Sequence, residues 1–242
     1  MNNIVLFCLP YAGGSESIYA NWKKYLDPSI ELHAIKLSGR GKRFNESLYS
    51  SLDKAIEDIY SQIKPYLHKP FIFFGHSMGS LLAYELAYKV KQLNGVNPFH
   101  MFLSGGKTPQ GYANENKKIH LFPNEEFKNE IKQMGGTPQE ILDNPELLDI
   151  FIPILKSDFK IIENYIFSSD NFKFDCNITV LHGRKDDISE EEILRWKLYT
   201  KKNCNIVPFE GGHFFINECT ESIVKLINQE IQNKFLYNYN FI

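Results

Sequence analysis

What the 242-residue chain lacks narrows its possible roles first. No apolar run approaches the roughly 20 residues that a membrane-spanning helix needs. The stretch Ile4 to Leu9 has no basic segment before it, is too short for the core of a secretory leader, and runs into Pro10 and a glycine pair. Of the four cysteines, Cys8, Cys176, Cys204 and Cys219, no two have Cys-x-x-Cys spacing. Neither a zinc site nor a disulfide framework is therefore expected, and reduced thiols in a cytoplasmic protein are the economical reading. An excess of one charge is also missing: 27 Lys and Arg stand against 29 Asp and Glu, and the lysines are scattered among acids. That balance argues against nucleic acid or a membrane surface as partner.

What the chain has is alternation. Strand-like apolar runs occupy Ile4 to Leu9, Glu31 to Leu37, Phe71 to Phe74, Met101 to Ser104, Ile178 to His182 and Ile206 to Phe209. Helical periodicity fills most of the gaps. Ser51 to Leu67 repeats apolar residues at Leu52, Ile56, Ile59, Ile63 and Leu67, and Ser77 to Leu93 meets the stop signal Asn94-Gly95. Ser189 and Glu192 have the spacing of a capping box for a helix over Glu190 to Lys202, and Glu221 to Phe235 reads as a closing amphipathic helix. Strands separated by helices predict the α/β class, with a mostly parallel central sheet flanked by helices. At 43% hydrophobic residues, residues 1–242 suffice for one substantial core, hence a single domain.

One connection is far longer than a crossover requires. Between Gly105-Gly106 and Ile178, about seventy residues contain no convincing strand. Their signals are helical: Asn124 as cap of a helix through Met134, a capping box with proline in Thr137-Pro138-Gln139-Glu140, and a third helix from Asn144-Pro145 toward Tyr165, bent at Pro153. An insertion after this strand lies over the C-terminal edge of the sheet, so residues from about 107 to 172 are expected to form a helical lid over the site.

The chemistry is signalled at Gly75-His76-Ser77-Met78-Gly79, between the apolar run Phe71 to Phe74 and the helical run Ser80 to Ala87. Gly-x-Ser-x-Gly at a strand-to-helix corner is a nucleophile elbow, which marks a serine hydrolase of the α/β-hydrolase fold. A serine hydroxyl needs a histidine base and a carboxylate to orient it, in the chain order serine, acid, histidine. His33, His68 and His76 precede Ser77, His100 starts a strand, His120 opens the insertion and His182 ends a strand. His213, on the glycine-freed loop Gly211-Gly212-His213-Phe214-Phe215, is left as the base. The acid is expected in Gly183-Arg184-Lys185-Asp186-Asp187, with Asp186 favoured over Asp187 and the choice open. Oxyanion donors are expected from the backbone N–H of Met78, at the helix start, and of Ala12, in the small-residue loop Pro10 to Ser15.

The ordered set of segments resembles the type II thioesterases that accompany nonribosomal peptide and polyketide synthases, along nearly the whole chain. The resemblance rests on Leu9 to Ser15, on Gly39-Arg40-Gly41-Lys42-Arg43 with Glu46, and on Gly75 to Gly79. It continues through Gly135-Gly136-Thr137-Pro138, Pro145 to Leu148, Lys156-Ser157-Asp158-Phe159, Trp196, and Gly211-Gly212-His213-Phe214. It implies Ser77, Asp186 and His213 as the triad, and a substrate that is an acyl thioester on the phosphopantetheine arm of an acyl or peptidyl carrier protein, hydrolysed to edit stalled or aberrant units through an acyl-serine. No metal or cofactor of the enzyme's own is expected, and a monomer suffices. Carrier proteins are commonly acidic, so lid lysines offer docking contacts, none singled out. Ser38 stands where the family usually has proline, as does Asp187 after the acid. Arg40 and Arg43 are expected to pair with Glu46 or other surface acids in preference to a phosphate. Alternative readings are a product-releasing thioesterase, a generic carboxylesterase and a non-catalytic synthase-binding protein.

Overall fold

The strands Ile4–Leu9 (β1), Ile30–Ala34 (β2), Phe71–His76 (β3), His100–Ser104 (β4), Asn177–Gly183 (β5) and Cys204–Phe209 (β6) pair in the order β2-β1-β3-β4-β5-β6. Every pairing is parallel. This arrangement comes from a computed structural model that describes residues 4–168 and 172–239. Strand order reverses between β1 and β3, which opens a crevice beyond their C-terminal ends, where open α/β sheets bind ligands.

β1, β3 and β4 are buried along their whole length, as continuous apolar runs require when both sheet faces are covered. Alternate residues feed two cores. Val5, Phe7, Phe73 and Leu103 pack with the helices Leu52–Ile63 (α1) and Met78–Asn94 (α2). Leu6, Phe74 and Phe102 pack with Tyr19, Trp22 and the C-terminal helix Thr220–Tyr239. No helix among the described residues is long and apolar enough to cross a membrane.

Several elements are shorter than their sequence pattern. β2 stops at Ala34 although Ile35 and Leu37 are buried: the ladder closes with Ile35 N–H on Cys8 O, and Pro10, the residue after β1, has no N–H to extend it. α1 gives way at Lys64 to a 3₁₀ turn containing Pro65. The helix expected over Glu190 to Lys202 is α-helical only over Glu190–Arg195 (α7) and then tightens into a 3₁₀ turn, Trp196–Tyr199. There Trp196 Nε1 donates to Gly106 O at 3.1 Å and Tyr199 O accepts from Phe174 N–H, so tertiary contacts draw the chain out of the helix.

The long connection holds Pro109–Ala113 (α3), Asn124–Met134 (α4), Gln139–Leu142 (α5) and Pro145–Glu163 (α6) around a small core that includes Phe127, Ile131, Ile152 and Leu155. Residues 169–171 of the expected lid lie outside the described residues. Asn144 caps α6 by accepting from Glu146 N–H and Leu147 N–H, and α6 runs on through Pro153. Two expected caps do not form. Asn124 is the first residue of α4 and its side chain accepts from Lys156 Nζ of α6. Pro138 stands at the cap position of α5, which leaves Thr137 outside the single turn. The Ser189 box forms by half: Ser189 Oγ accepts from Glu192 N–H, while the Glu192 carboxylate accepts from Thr108 N–H at 2.7 Å.

Candidate active site

Ser77 is the one non-glycine residue with positive φ among those described, at φ 54° and ψ −118°. Such a conformation costs on the order of 1–3 kcal/mol and persists only where the surroundings enforce it. Here Ser77 N–H donates to Ser104 O at 2.8 Å, and Ser80 Oγ, one helical turn on, bonds Gly75 O and Ser104 O. The flanking glycines make the corner possible. A Cβ on Gly75 would sit 2.0 Å from Gly79 O, and one on Gly79 would sit 2.2 Å from Leu9 O.

The loops after β5 and β6 meet this corner. A Cβ on Gly183 would lie 2.4 Å from Gly212 O, and Lys185 N–H donates to Gly211 O at 2.9 Å, so the two loops are in backbone contact. The contact brings His213 Nδ1 to 3.0 Å from Asp186 Oδ2 and His213 Nε2 to 2.9 Å from Ser77 Oγ. Asp186 is thus the aspartate that faces the imidazole; Asp187 lines the neighbouring cavity.

That cavity, about 380 Å³, opens from Ser77 and Ala12 and runs beneath the inserted helices. Ile131 and Met134 of α4 and Phe151, Leu155 and Phe159 of α6 make its wall apolar, whereas Lys107, paired with Glu115, and Lys117 line its polar part. A second depression, of about 490 Å³, has Asp186 in its lining, but neither Ser77 nor His213 lines it. The inserted segment also reaches the residue after His213, since a Cβ on Gly136 would fall 2.0 Å from Phe214 Cζ.

The loop after β1 forms a turn closed by Gly14 N–H on Tyr11 O at 2.9 Å, with Ala12 on the cavity wall. Met78, immediately after Ser77, begins α2. The two arginines diverge from expectation in part. Arg43 pairs with Glu46 and also with Asp58, but Arg40 is buried and bonds Asp158 of α6 instead of a surface acid.

With this geometry in view, the comparison with known proteins is decisive: the thioesterase-domain family model matches residues 5–231. The chain belongs to the thioesterase family. Its architecture is the α/β-hydrolase fold. The chain is 33% identical over 228 residues to the gramicidin S biosynthesis protein GrsT of Aneurinibacillus migulanus, covering 94% of this chain and 88% of GrsT. The thioesterase PikA5 of Streptomyces venezuelae is 30% identical, over 93% of this chain and 80% of its own. Among solved structures, ClbQ from the colibactin NRPS/PKS pathway superposes with a TM-score of 0.92 at 33% identity, covering 97% of this chain and 99% of ClbQ.

Sequence reasoning about this thioesterase passed over two residues at the site. His76, inside the elbow, bonds Ser104 Oγ through Nδ1 at 2.8 Å and packs 5.4 Å from the His213 ring. Burial, and then the neighbouring His213, push its pKa well below the ordinary histidine value, so it is a neutral spacer. Tyr112 of α3 lines the cavity beside Ser77, and burial pushes its hydroxyl pKa up, so it stays protonated. A histidine in an apolar corner and a tyrosine in a five-residue helix carry no periodic signal; only the folded contacts single them out.

Proposed function

We propose that this thioesterase hydrolyses acyl thioesters presented on the phosphopantetheine arm of carrier proteins, removing stalled or aberrant acyl units in nonribosomal peptide or polyketide synthesis. The observation that carries the reading is the contact chain Ser77–His213–Asp186 at the mouth of an apolar cavity roofed by α4 and α6. The relatives named above from gramicidin S and colibactin biosynthesis support the setting.

The steps follow from the residues present. His213 Nε2 takes the Ser77 proton as Oγ attacks the thioester carbonyl, while Asp186 holds the Nδ1–H tautomer and stabilises the imidazolium. The charge growing on the carbonyl oxygen is met by the N–H groups of Met78 and Ala12. Collapse expels the pantetheine thiolate, which takes the proton from His213. Water then gives its proton to the same nitrogen and attacks the acyl-serine, and collapse returns that proton to Ser77 Oγ with release of the free acid. Each proton moves between groups in contact, so no metal or redox cofactor is required. The apolar wall takes the acyl chain, and the partner protein brings the arm.

The test follows an acyl-phosphopantetheinyl carrier protein by intact mass. Wild-type enzyme is expected to yield the free thiol form of the arm, with a transient acyl mass on the enzyme; Ser77→Ala is expected to do neither. Continued hydrolysis by Ser77→Ala would refute the nucleophile, and preference for a small nitrophenyl ester over the carrier-bound thioester would refute the substrate class.

A further inference from the structure

α6 carries one carboxylate into the interior beside the loop that follows β1. Asp158 is 1% exposed and Arg40 is 3% exposed. Arg40 Nη2 donates to Asp158 Oδ1 at 2.7 Å and Nη1 donates to Oδ2, while Oδ2 also accepts the Gly13 N–H at 2.8 Å. Both ions have given up their hydration, and apolar side chains of similar volume often replace such a buried pair without loss of stability. What an apolar pair would not do is accept a hydrogen bond from Gly13.

Gly13 is the third residue of the turn Tyr11 to Gly14 and has φ +77°. The Gly13 N–H belongs to the central peptide of this turn, Ala12–Gly13, whose orientation sets the turn type and with it the ψ of Ala12. An acceptor fixed on the Gly13 N–H selects one orientation. α6 presses on the same point, since a Cβ on Gly13 would lie 2.7 Å from Leu155 Cδ2. On the other side, Leu9 O accepts from the Tyr19 hydroxyl at 2.7 Å. The Ala12 N–H itself lies on the preceding peptide, Tyr11–Ala12, whose carbonyl accepts the Gly14 N–H at 2.9 Å, so the turn that carries it is closed on itself and anchored at Gly13 to the helix that also walls the acyl cavity.

We propose that Asp158, held bidentately by Arg40, is a positioning residue that sets the Tyr11–Gly14 turn so that the Ala12 N–H is aimed at the carbonyl oxygen above Ser77. The proposal rests on the Ser77 mechanism given above. Asp158 touches neither substrate nor reacting atoms; it acts through Gly13, and Arg40 acts through Asp158.

Two changes separate this role from plain stabilisation. Arg40→Met/Asp158→Leu removes both charges together with the acceptor, and replacement of Gly13 by glycolic acid exchanges the N–H donor for an ester oxygen and leaves the ion pair. Each is compared with wild type for urea midpoint, for kcat and KM on an acyl-pantetheine thioester, and for Ki of an alkyl trifluoromethyl ketone, whose serine adduct carries the oxyanion. The double variant is expected to keep a wild-type midpoint while kcat falls about tenfold to a hundredfold, KM stays within about threefold and Ki rises in parallel with the loss of kcat. The glycolate protein is expected to show the same kcat-specific loss. Asp158→Asn, which leaves an acceptor for Gly13 but an unpaired Arg40, is expected to be less stable than the double variant and yet faster. Wild-type kcat and Ki in the glycolate protein, or activities that follow the order of stability, would overturn the role of Asp158. Equal affinity of Ser77→Ala and wild type for the ketone would instead defeat the underlying mechanism.

Discussion

At Ser77 the backbone strain, the hydroxyl and the imidazole of His213 coincide, and the residues around them divide into groups that exchange protons and groups that hold others still. Asp186 and Asp187 are adjacent in sequence, but Asp186 alone bonds His213. Asp186→Asn is therefore expected to lower kcat about 10⁴-fold by presenting the wrong tautomer. Asp187→Asn is expected to stay within about tenfold of wild type, because its carboxylate lines the cavity without touching the imidazole. Thioester hydrolysis rates of the two variants check both expectations. His76 gives a second prediction. Its folded pKa is lowered, so below the unfolded histidine value the unfolded chain binds a proton that the native one refuses. Stability from this residue is present above about pH 6.5 and is lost as pH falls, at up to about 1.4 kcal/mol per pH unit. Urea midpoints at pH 7.5 and 5.5 are expected to differ less in His76→Gln than in wild type, and equal differences would contradict the assignment.

At the scale of elements, α2 shows how one substitution means different things at two ends of a helix. Gly95 closes α2 at φ 73°, and a Cβ added there would have nothing within 4 Å. Gly95→Ala therefore carries only the conformational cost, about 1–2 kcal/mol, with normal activity. Gly75 at the other end faces the Gly79 carbonyl, so Gly75→Ala forces β3 and α2 apart and is expected to lose the fold or several kcal/mol with the activity. Thermal melts with activity assays distinguish the two. Most elements were legible in the sequence because local pattern reports them: β1, α2 and the Asn144 cap stand where it puts them. The caps at Asn124 and Thr137 were not: the Asn124 side chain found a partner in space, Lys156, and behind Pro138 the turn starts too late for Thr137 to cap it.

For the whole molecule, the sheet divides the interior into two cores, with Leu81 in one and Ile227 in the other, both fully buried. Leu81→Ala and Ile227→Ala are each expected to cost about 2–5 kcal/mol. Because the sheet separates them, the double variant is expected to add within about 0.5 kcal/mol, in a single urea transition. Clear non-additivity would mean that the layers communicate through the strands more than their separate packing implies. The inserted helices have their own small core, yet they are tied to the rest by Asp158 with Arg40 and by the Gly136 contact with Phe214.

Local pattern was enough to specify the α/β class, the elbow, the serine and histidine at its centre and the helical nature of the insertion. Each is written in neighbouring residues or in their order: in periodicity, in glycines that a tight corner demands, and in the succession serine, acid, histidine. Which aspartate meets His213, that Arg40 turns inward to Asp158, and that His76 and Tyr112 stand beside Ser77 were settled by folding alone. Those outcomes depend on the close approach of loops up to 136 residues apart, such as those of Ser77 and His213. A contact of that kind is fixed by the packing of the whole sheet and leaves no mark on the residues adjacent in the chain.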